Sequence, residues 1–223
     1  MVRGVIIVAG GAGARFGGEL PKAFTSLAGE PLVAHCARIF AALDVNRIVV
    51  AVPHGWEAEA RKILSQYSNV IIVEGGETRK ESVRRAFAEL SEEIELVAVH
   101  DAARPLLRAE DAGRAFSVAV EFGASALAVP VADTLKLVDG GFIERTIPRD
   151  GLWAVQTPQV FRRELLSRAL ELDIDATDDC ALVEALGEKV RIVEGRRDNI
   201  KITFPEDLAL AEAILSSRKR TAR

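Results

Sequence analysis

Five short apolar runs recur along the first 130 residues, and none of them alternates with polar positions. Runs without polar alternation are typical of strands buried on both faces of a sheet. The segments between them repeat apolar residues with helical spacing, so the order βαβα predicts an α/β fold with a parallel or mostly parallel sheet covered by helices. The predicted strands are residues 5–8, 48–52, 70–73, 96–99 and 126–129, and the predicted helices are residues 32–43, 57–66, 81–90 and 111–122.

The pattern changes after residue 130. Two strand-like segments, residues 134–138 and 142–147, flank the turn Asp139-Gly140-Gly141. A two-glycine turn between such segments predicts a β-hairpin. The remaining chain predicts helices around residues 164–172 and 178–186, a strand at 190–193 and a helix opened by Pro205-Glu206-Asp207. We therefore expect a single domain over residues 1–223, with an inserted β-hairpin arm at residues 134–147.

Composition and charge exclude several classes of protein. The 223 residues carry 29 Lys and Arg against 33 Asp and Glu, and this negative balance argues against general nucleic-acid binding. No apolar run approaches the roughly 18 residues of a membrane span, and the N-terminus lacks the pattern of a leader segment, so we expect a cytoplasmic protein without a membrane partner. The basic tail at residues 218–223 predicts a solvated helix end.

Cys36 and Cys180 have no partners at metal-ligand spacing, which predicts buried thiols rather than zinc or a disulfide.

A glycine-rich loop follows the first strand, at residues 9–22. Its five glycines let the backbone approach a polyphosphate closely, and Arg15 and Lys22 add cationic donors. The third glycine of a dinucleotide fingerprint is replaced by Phe16, and Glu19-Leu20 stand where a Walker A loop needs Lys and Ser or Thr. We therefore favour a different polyphosphate site over a ligand-free turn.

The fourth strand is followed by His100-Asp101 and then by Arg104 and Pro105. An aspartate at the carboxyl end of a strand is well placed to hold Mg²⁺ against phosphate oxygens, and Arg104 is a further candidate cation. The alternative for Asp101 is a turn cap before Pro105. For His100 we favour a cap or a satisfied core position.

Another glycine pair, Gly75-Gly76, follows the third strand and leads into a helix. These glycines would allow a flat base to lie against the backbone, with Ser82 hydrogen-bonding its edge. Thr78 and Glu81 also fit a capping box, which would explain the same segment without a ligand.

Taken in order, these motifs resemble those of the 2-C-methyl-D-erythritol 4-phosphate cytidylyltransferases over nearly the whole chain. Each segment alone is weakly specific, whereas the ordered set is strongly specific. The resemblance rests on residues 10–22, Gly75-Gly76-x-x-Arg79-x-x-Ser82-Val83, residues 99–105, Pro130-Val131-x-Asp133-Thr134-Leu135-Lys136, Arg149-x-Gly151-Leu152-Trp153, Thr157-Pro158-Gln159-x-Phe161, residues 176–179 and residues 193–208.

The resemblance implies a Rossmann-like nucleotidyltransferase fold and a CTP-dependent transfer of cytidylyl to methylerythritol phosphate, with Mg²⁺ or another divalent cation as cofactor. It implies that Arg15, Lys22, Lys201 and Arg149 are catalytic and that Asp101 is the metal ligand. The implied nucleotide contacts are Ala9, Gly10, Gly11, Ala12, Gly13, Gly76, Glu77, Ser82, Asp101 and Ala102. The implied acceptor contacts are Arg104, Thr134, Arg149, Thr157, Thr177 and Lys201.

Without the resemblance, Lys201 would be the solvent-facing residue of an edge strand and Arg149 a loop cation. Three other functions stay open at this point: a cytidylyltransferase for another polyol phosphate such as ribitol 5-phosphate, a regulatory module that binds CTP without turnover, and a nicotinamide oxidoreductase. The third is disfavoured by Phe16 and by the missing acidic residue.

The predicted hairpin carries more apolar side chains than a two-stranded ribbon can bury by itself. Folding back onto its own domain is one solution. The resemblance implies instead an arm that crosses to a second subunit in a two-fold homodimer. That arrangement would carry Thr134 and Arg149 towards the acceptor pocket of the partner.

Overall fold

The computed structural model describes residues 1–10, 20–174 and 176–221 of the chain. Arg15, Gly11, Ala12 and Gly13 lie outside the described residues. The strands are β1 (Arg3–Val8), β2 (Ser26–Leu27), β3 (Glu30–Pro31), β4 (Arg47–Val52), β5 (Val70–Glu74), β6 (Leu96–Asp101), β7 (Ala124–Pro130), β8 (Leu135–Asp139), β9 (Phe142–Ile147), β10 (Trp153–Arg162) and β11 (Arg191–Glu194). The helices are α1 (Leu32–Ala41), α2 (Glu57–Ile63), α3 (Arg79–Ala88), α4 (Ala109–Phe122), α5 (Arg163–Glu171), α6 (Asp179–Ala185) and α7 (Glu206–Thr221), with a 3-10 turn at Lys22–Phe24.

Seven strands form one sheet in the order β11-β7-β10-β6-β1-β4-β5. The pairs β1 with β4, β1 with β6, β4 with β5, and β7 with β11 are parallel, whereas β10 runs antiparallel to both of its neighbours. The predicted α/β class and mostly parallel sheet are confirmed. The carboxyl ends of β1, β4, β5 and β6 therefore meet along one edge, where an open sheet of this kind binds its ligands.

Helices cover both faces of the sheet. Val5 and Ile7 of β1 pack into one core cluster with residues of α1, α2 and α4, whereas Ile6 packs into another with residues of α3, α5 and α6. Val5, Ile6 and Ile7, which face both sides of the sheet, are fully buried. This burial explains why the apolar runs in the sequence show no polar alternation.

Strand β10 was not predicted from the sequence. Its ten residues include Gln156 and Pro158, which break the apolar pattern, and its pairing with β7 shifts register between Val155 and Gln159. Proline in a strand interior normally argues against a strand, and here it sits within that irregularity. The edge-strand alternative for Lys201 is also wrong, because residues 200–203 belong to no strand.

The hairpin is confirmed as a separate two-stranded sheet formed by β8 and β9. Several of its apolar side chains face outwards, and Phe142 and Ile143 are 81% and 65% exposed. The hairpin therefore does not bury these side chains against its own chain.

The basic tail differs from its prediction at one residue. Arg218 on α7 is mostly covered and forms an ion pair with Asp198 at 2.8 Å, so this end of the helix is anchored rather than fully solvated. Lys219 and Arg220 are exposed, as expected.

Among the described residues, no helix is both long and apolar enough to cross a membrane. Cys36 and Cys180 are buried free thiols, and burial raises the pKa of each.

Candidate active site

A cleft of about 240 Å³ opens at the carboxyl edge of the sheet, between the ends of β1 and β6 and the start of α3. Nine of the predicted site residues line it: Ala9, Gly10, Lys22, Gly76, Glu77, Ser82, Asp101, Ala102 and Lys201. Sequence positions almost 200 residues apart therefore meet in one cavity. Five other predicted residues do not line it: Arg104, Thr134, Arg149, Thr157 and Thr177.

The loop at Gly75-Gly76 is held by Ser82. The Ser82 hydroxyl accepts a hydrogen bond from the Gly76 N–H at 3.0 Å and donates one to the Thr78 carbonyl at 2.9 Å. A Cβ on Gly76 would clash with the Glu81 side chain, so a larger residue would displace either the loop or Glu81. This hydroxyl fixes the shape of the loop, and its contact with cytosine stays a prediction.

The capping alternative for this segment is confirmed at Thr78. Thr78 caps α3 by accepting from the Glu81 N–H at 3.1 Å. The Glu81 carboxylate accepts from the Glu77 N–H at 3.0 Å, one residue before the position that a standard capping box uses. The cap keeps the backbone next to the cleft in a defined conformation, and so does not compete with a binding role.

Asp101 ends β6 with its carboxylate between two cations. Its Oδ1 lies 3.2 Å from Arg79 Nε, and its Oδ2 lies 2.7 Å from Lys201 Nζ. Burial alone would raise the pKa of Asp101, but the charges of Arg79 and Lys201 outweigh that effect and hold the pKa well below its usual range. The group is therefore an ionised carboxylate at neutral pH.

Sequence reasoning assigned no role to Arg79, which turns out to bridge two carboxylates. Its Nη1 lies 2.7 Å from Oδ2 of Asp179, at the start of α6, and Asp179 is almost completely buried. The Gln159 side chain accepts from the backbone N–H groups of Asp179 and Cys180 and fixes this end of α6. The sequence held one signal for a role of Arg79, because this charged residue opens the helix that follows Gly75-Gly76.

His100 and Thr157 position the backbone of Asp101. His100 is fully buried, and its Nε2 donates to the Arg104 carbonyl at 3.1 Å, so the neutral ring accepts at Nδ1 from the Thr157 hydroxyl at 3.0 Å. The Thr157 oxygen in turn accepts from the Asp101 N–H at 3.1 Å. The predicted core role of His100 is confirmed. The contact of Thr157 with the acceptor substrate stays a prediction. In this structure the Thr157 hydroxyl bonds His100 and the backbone of Asp101.

We expect His100 to make folding sensitive to mild acid. Burial lowers its pKa from 6.5 to about 4. Between these values the unfolded chain binds the proton and the folded chain does not, so the free energy of unfolding should fall as the pH drops, by about 3 kcal/mol over the whole window. Denaturant unfolding of wild type and His100→Gln from pH 7 to 4.5 measures it. An equal pH dependence in the two proteins would contradict this assignment.

Arg104 anchors the segment that leads to Lys201. Its Nη1 donates to the Asn199 carbonyl at 2.8 Å, and the Ile202 N–H bonds the Ala103 carbonyl at 2.8 Å. Lys201 thus lies between two attachments to the loop after β6. The contact of Arg104 with the acceptor substrate stays a prediction.

The remaining acceptor candidates do not line the cleft. Arg149 and Thr134 are exposed at the base of the hairpin, where Arg149 donates to the Ala132 carbonyl. Thr177 is exposed just before α6. Among the residues that the structure describes, the predicted nucleotide contacts and Lys201 meet in the cleft, whereas these three lie outside its lining.

Comparison with known proteins identifies the family of the chain. The family model for 2-C-methyl-D-erythritol 4-phosphate cytidylyltransferase (IspD) matches residues 4–217. The chain belongs to this family. A cytidylyltransferase of this name from Desulforamulus reducens is 42% identical over 223 residues, covering 96% of this chain and 95% of the relative. A bifunctional IspD/IspF enzyme from Desulfotalea psychrophila is 41% identical, and the match spans 57% of that longer protein.

Solved structures support the same family membership. The cytidylyltransferase from Thermus thermophilus superposes with a TM-score of 0.81 at 36% identity, covering 96% of this chain and 98% of the other. The 4-diphosphocytidyl-2C-methyl-D-erythritol synthase from Anaerococcus prevotii gives a TM-score of 0.85 at 28% identity, covering 96% of both chains. The likeness therefore extends over nearly the whole chain.

Proposed function

We propose that this chain transfers the cytidylyl group of CTP to 2-C-methyl-D-erythritol 4-phosphate and releases pyrophosphate, in the non-mevalonate route to isoprenoid precursors. The observation that carries the proposal is the meeting of Lys22, Lys201 and Asp101 in one cleft beside Gly76, in a chain of this family. The substrates are small phosphorylated molecules, and the cytoplasm stays the predicted location.

The reaction suits a cleft that offers cations. An oxygen of the acceptor phosphate attacks the α-phosphorus of CTP, the bond from that phosphorus to the β-phosphate oxygen breaks, and pyrophosphate leaves with the electron pair. The nucleophile is already ionised, so no general base is required, and the main difficulty is bringing two anions together. We assign Lys22, Arg15 and Lys201 to stabilising this negative charge.

We assign the divalent cation to Asp101. A carboxylate oxygen is a ligand that Mg²⁺ prefers, and Mg²⁺ is commonly held by one or two carboxylates together with substrate phosphates. Asp101 meets this requirement, because it supplies an ionised carboxylate at the edge of the cleft. Bound there, the ion would neutralise part of the triphosphate charge.

Pyrophosphate release tests the function. Mixing the protein with CTP, Mg²⁺ and methylerythritol phosphate should release pyrophosphate in proportion to the acceptor consumed. A chelator should abolish the release, because the two anionic substrates would then approach without the divalent cation. Release that survives complete chelation would contradict the metal assignment, and release that does not depend on the acceptor would contradict the function.

We further propose that the chain acts as a two-fold homodimer through the hairpin. The proposal is supported by the exposure of Phe142 and Ile143 and by the position of Thr134 and Arg149 at the hairpin base, outside the cleft of their own chain. Exposed apolar side chains on a ribbon are typical of a surface that another chain covers. In such a dimer Thr134 and Arg149 would complete the acceptor pocket of the partner.

A further inference from the structure

The two cations that hold Asp101 differ in how firmly they are fixed. Arg79 is fixed, because its guanidinium also pairs with the buried Asp179, and Gln159 holds the backbone at Asp179. A charged group that bridges two carboxylates in this way cannot leave one of them without leaving a buried charge unpaired. Arg79 is therefore the more firmly held partner of Asp101, at Oδ1.

Lys201 is the partner that is able to exchange. Its side chain is 45% exposed, so the ammonium is able to move while the contacts of Asn199 and Ile202 hold the backbone on either side. A lysine ammonium on a flexible four-carbon chain exchanges partners at little cost when it is in contact with solvent. Oδ2 of Asp101 is therefore the oxygen that becomes free when Lys201 moves.

The carboxylates of this cluster already have cationic partners. Arg79 and Lys201 are joined by ion pairs to Asp101 and Asp179, and Arg104 adds a third positive charge that acts on Asp101. A divalent cation entering alone would place two further positive charges beside these groups. A cation that arrives with the negatively charged triphosphate avoids that excess.

We propose that Lys201 acts in the free protein as a stand-in for the divalent cation at Asp101. It blocks binding of the metal alone and leaves Oδ2 when the metal and the nucleotide bind together. Once released, the ammonium is available to the phosphates in the same cleft. This inference rests on the proposed function only in taking Asp101 as the metal ligand.

Manganese binding to the full chain without nucleotide provides the test, with Mn²⁺ measured by electron paramagnetic resonance. Lys201→Met should bind Mn²⁺ about tenfold tighter than wild type, or about 1.4 kcal/mol. Lys201→Gln should show the same gain and serves if the Met variant folds poorly. The matched control is Lys62→Met, which removes an exposed lysine from α2 and should leave Mn²⁺ binding unchanged.

Two further measurements distinguish direct competition between Lys201 and the metal for Asp101 from general repulsion of the metal by positive charge. The gain should persist at about 0.5 M KCl, where the interaction of distant charges is screened. It should disappear when Asp101→Asn is added to Lys201→Met. The proposal is overturned if wild type without nucleotide binds Mn²⁺ as tightly as Lys201→Met, or if the gain survives Asp101→Asn. Neither result bears on turnover, so a failure here is distinguishable from a failure of the proposed function.

Discussion

Replacing Lys22 by alanine should reduce turnover by about 10²-fold or more, which corresponds to about 2.7 kcal/mol of lost transition-state stabilisation. Lys22 lines the cleft at the start of the 3-10 turn, and the proposed reaction concentrates negative charge on the triphosphate there. Arg15→Ala should have an effect of the same size, an expectation drawn from the sequence alone. Initial rates at saturating CTP and acceptor measure both effects.

Lys62→Ala is the control for this experiment, because Lys62 is exposed on α2 and does not line the cleft. Its turnover should match wild type. The expected loss in the Lys22 variant should appear mainly in kcat, since the interaction strengthens as charge develops. Turnover at the wild-type rate in Lys22→Ala or Arg15→Ala would show that these residues do not stabilise the reacting phosphates.

Two impaired variants, assayed at an acceptor concentration well below the KM of Arg149→Ala, should restore activity when they form a mixed dimer. Lys22→Ala damages the nucleotide half of a site, and Arg149→Ala damages the acceptor half that we assign to the partner chain. In a heterodimer one site carries both changes and the other carries neither. Random exchange gives about half heterodimers, each with one intact site of two, so activity should return to about a quarter of wild type. Alone, Arg149→Ala should act chiefly on KM for the acceptor.

Light scattering provides the matching physical measurement, and it should give about twice the chain mass of 24.1 kDa. Hairpin substitutions Phe142→Ser and Ile143→Ser, which remove exposed apolar surface, should shift this mass towards the monomer. A fully active monomer would rule out the shared site. Absence of complementation despite proven subunit exchange would do the same, and either result would leave the cytidylyl transfer chemistry intact.

The strands and helices that are buried on regular faces could be predicted from the sequence. β1, β4 and β6 appear as unbroken apolar runs because helices cover both sides of the sheet. β10 could not be predicted in this way, because Gln156 and Pro158 interrupt its apolar pattern where its register shifts. Its place in the sheet depends on pairing with β6 and β7, which are distant in sequence.

In the cleft, too, residues marked by a local motif could be predicted, whereas contacts between residues far apart in sequence could not. Asp101 and Gly76 could be singled out because a strand end and a glycine pair are local signals. The ion pair between Arg79 and Asp179 joins residues 100 positions apart, and no local pattern indicates it. The motif that contains Lys201 suggested its role, but only the structure places its ammonium on Asp101.

The most direct measurement of the central claim is pyrophosphate release from CTP across a panel of polyol phosphates. Methylerythritol phosphate should be the preferred acceptor, with the highest kcat/KM of the panel. Its cytidine-diphosphate ester should form in equal amount to the pyrophosphate. A preference of about tenfold or more for ribitol 5-phosphate, close to 1.4 kcal/mol in transition-state binding, would contradict the acceptor assignment. CTP binding with no pyrophosphate from any acceptor would contradict the enzymatic function itself.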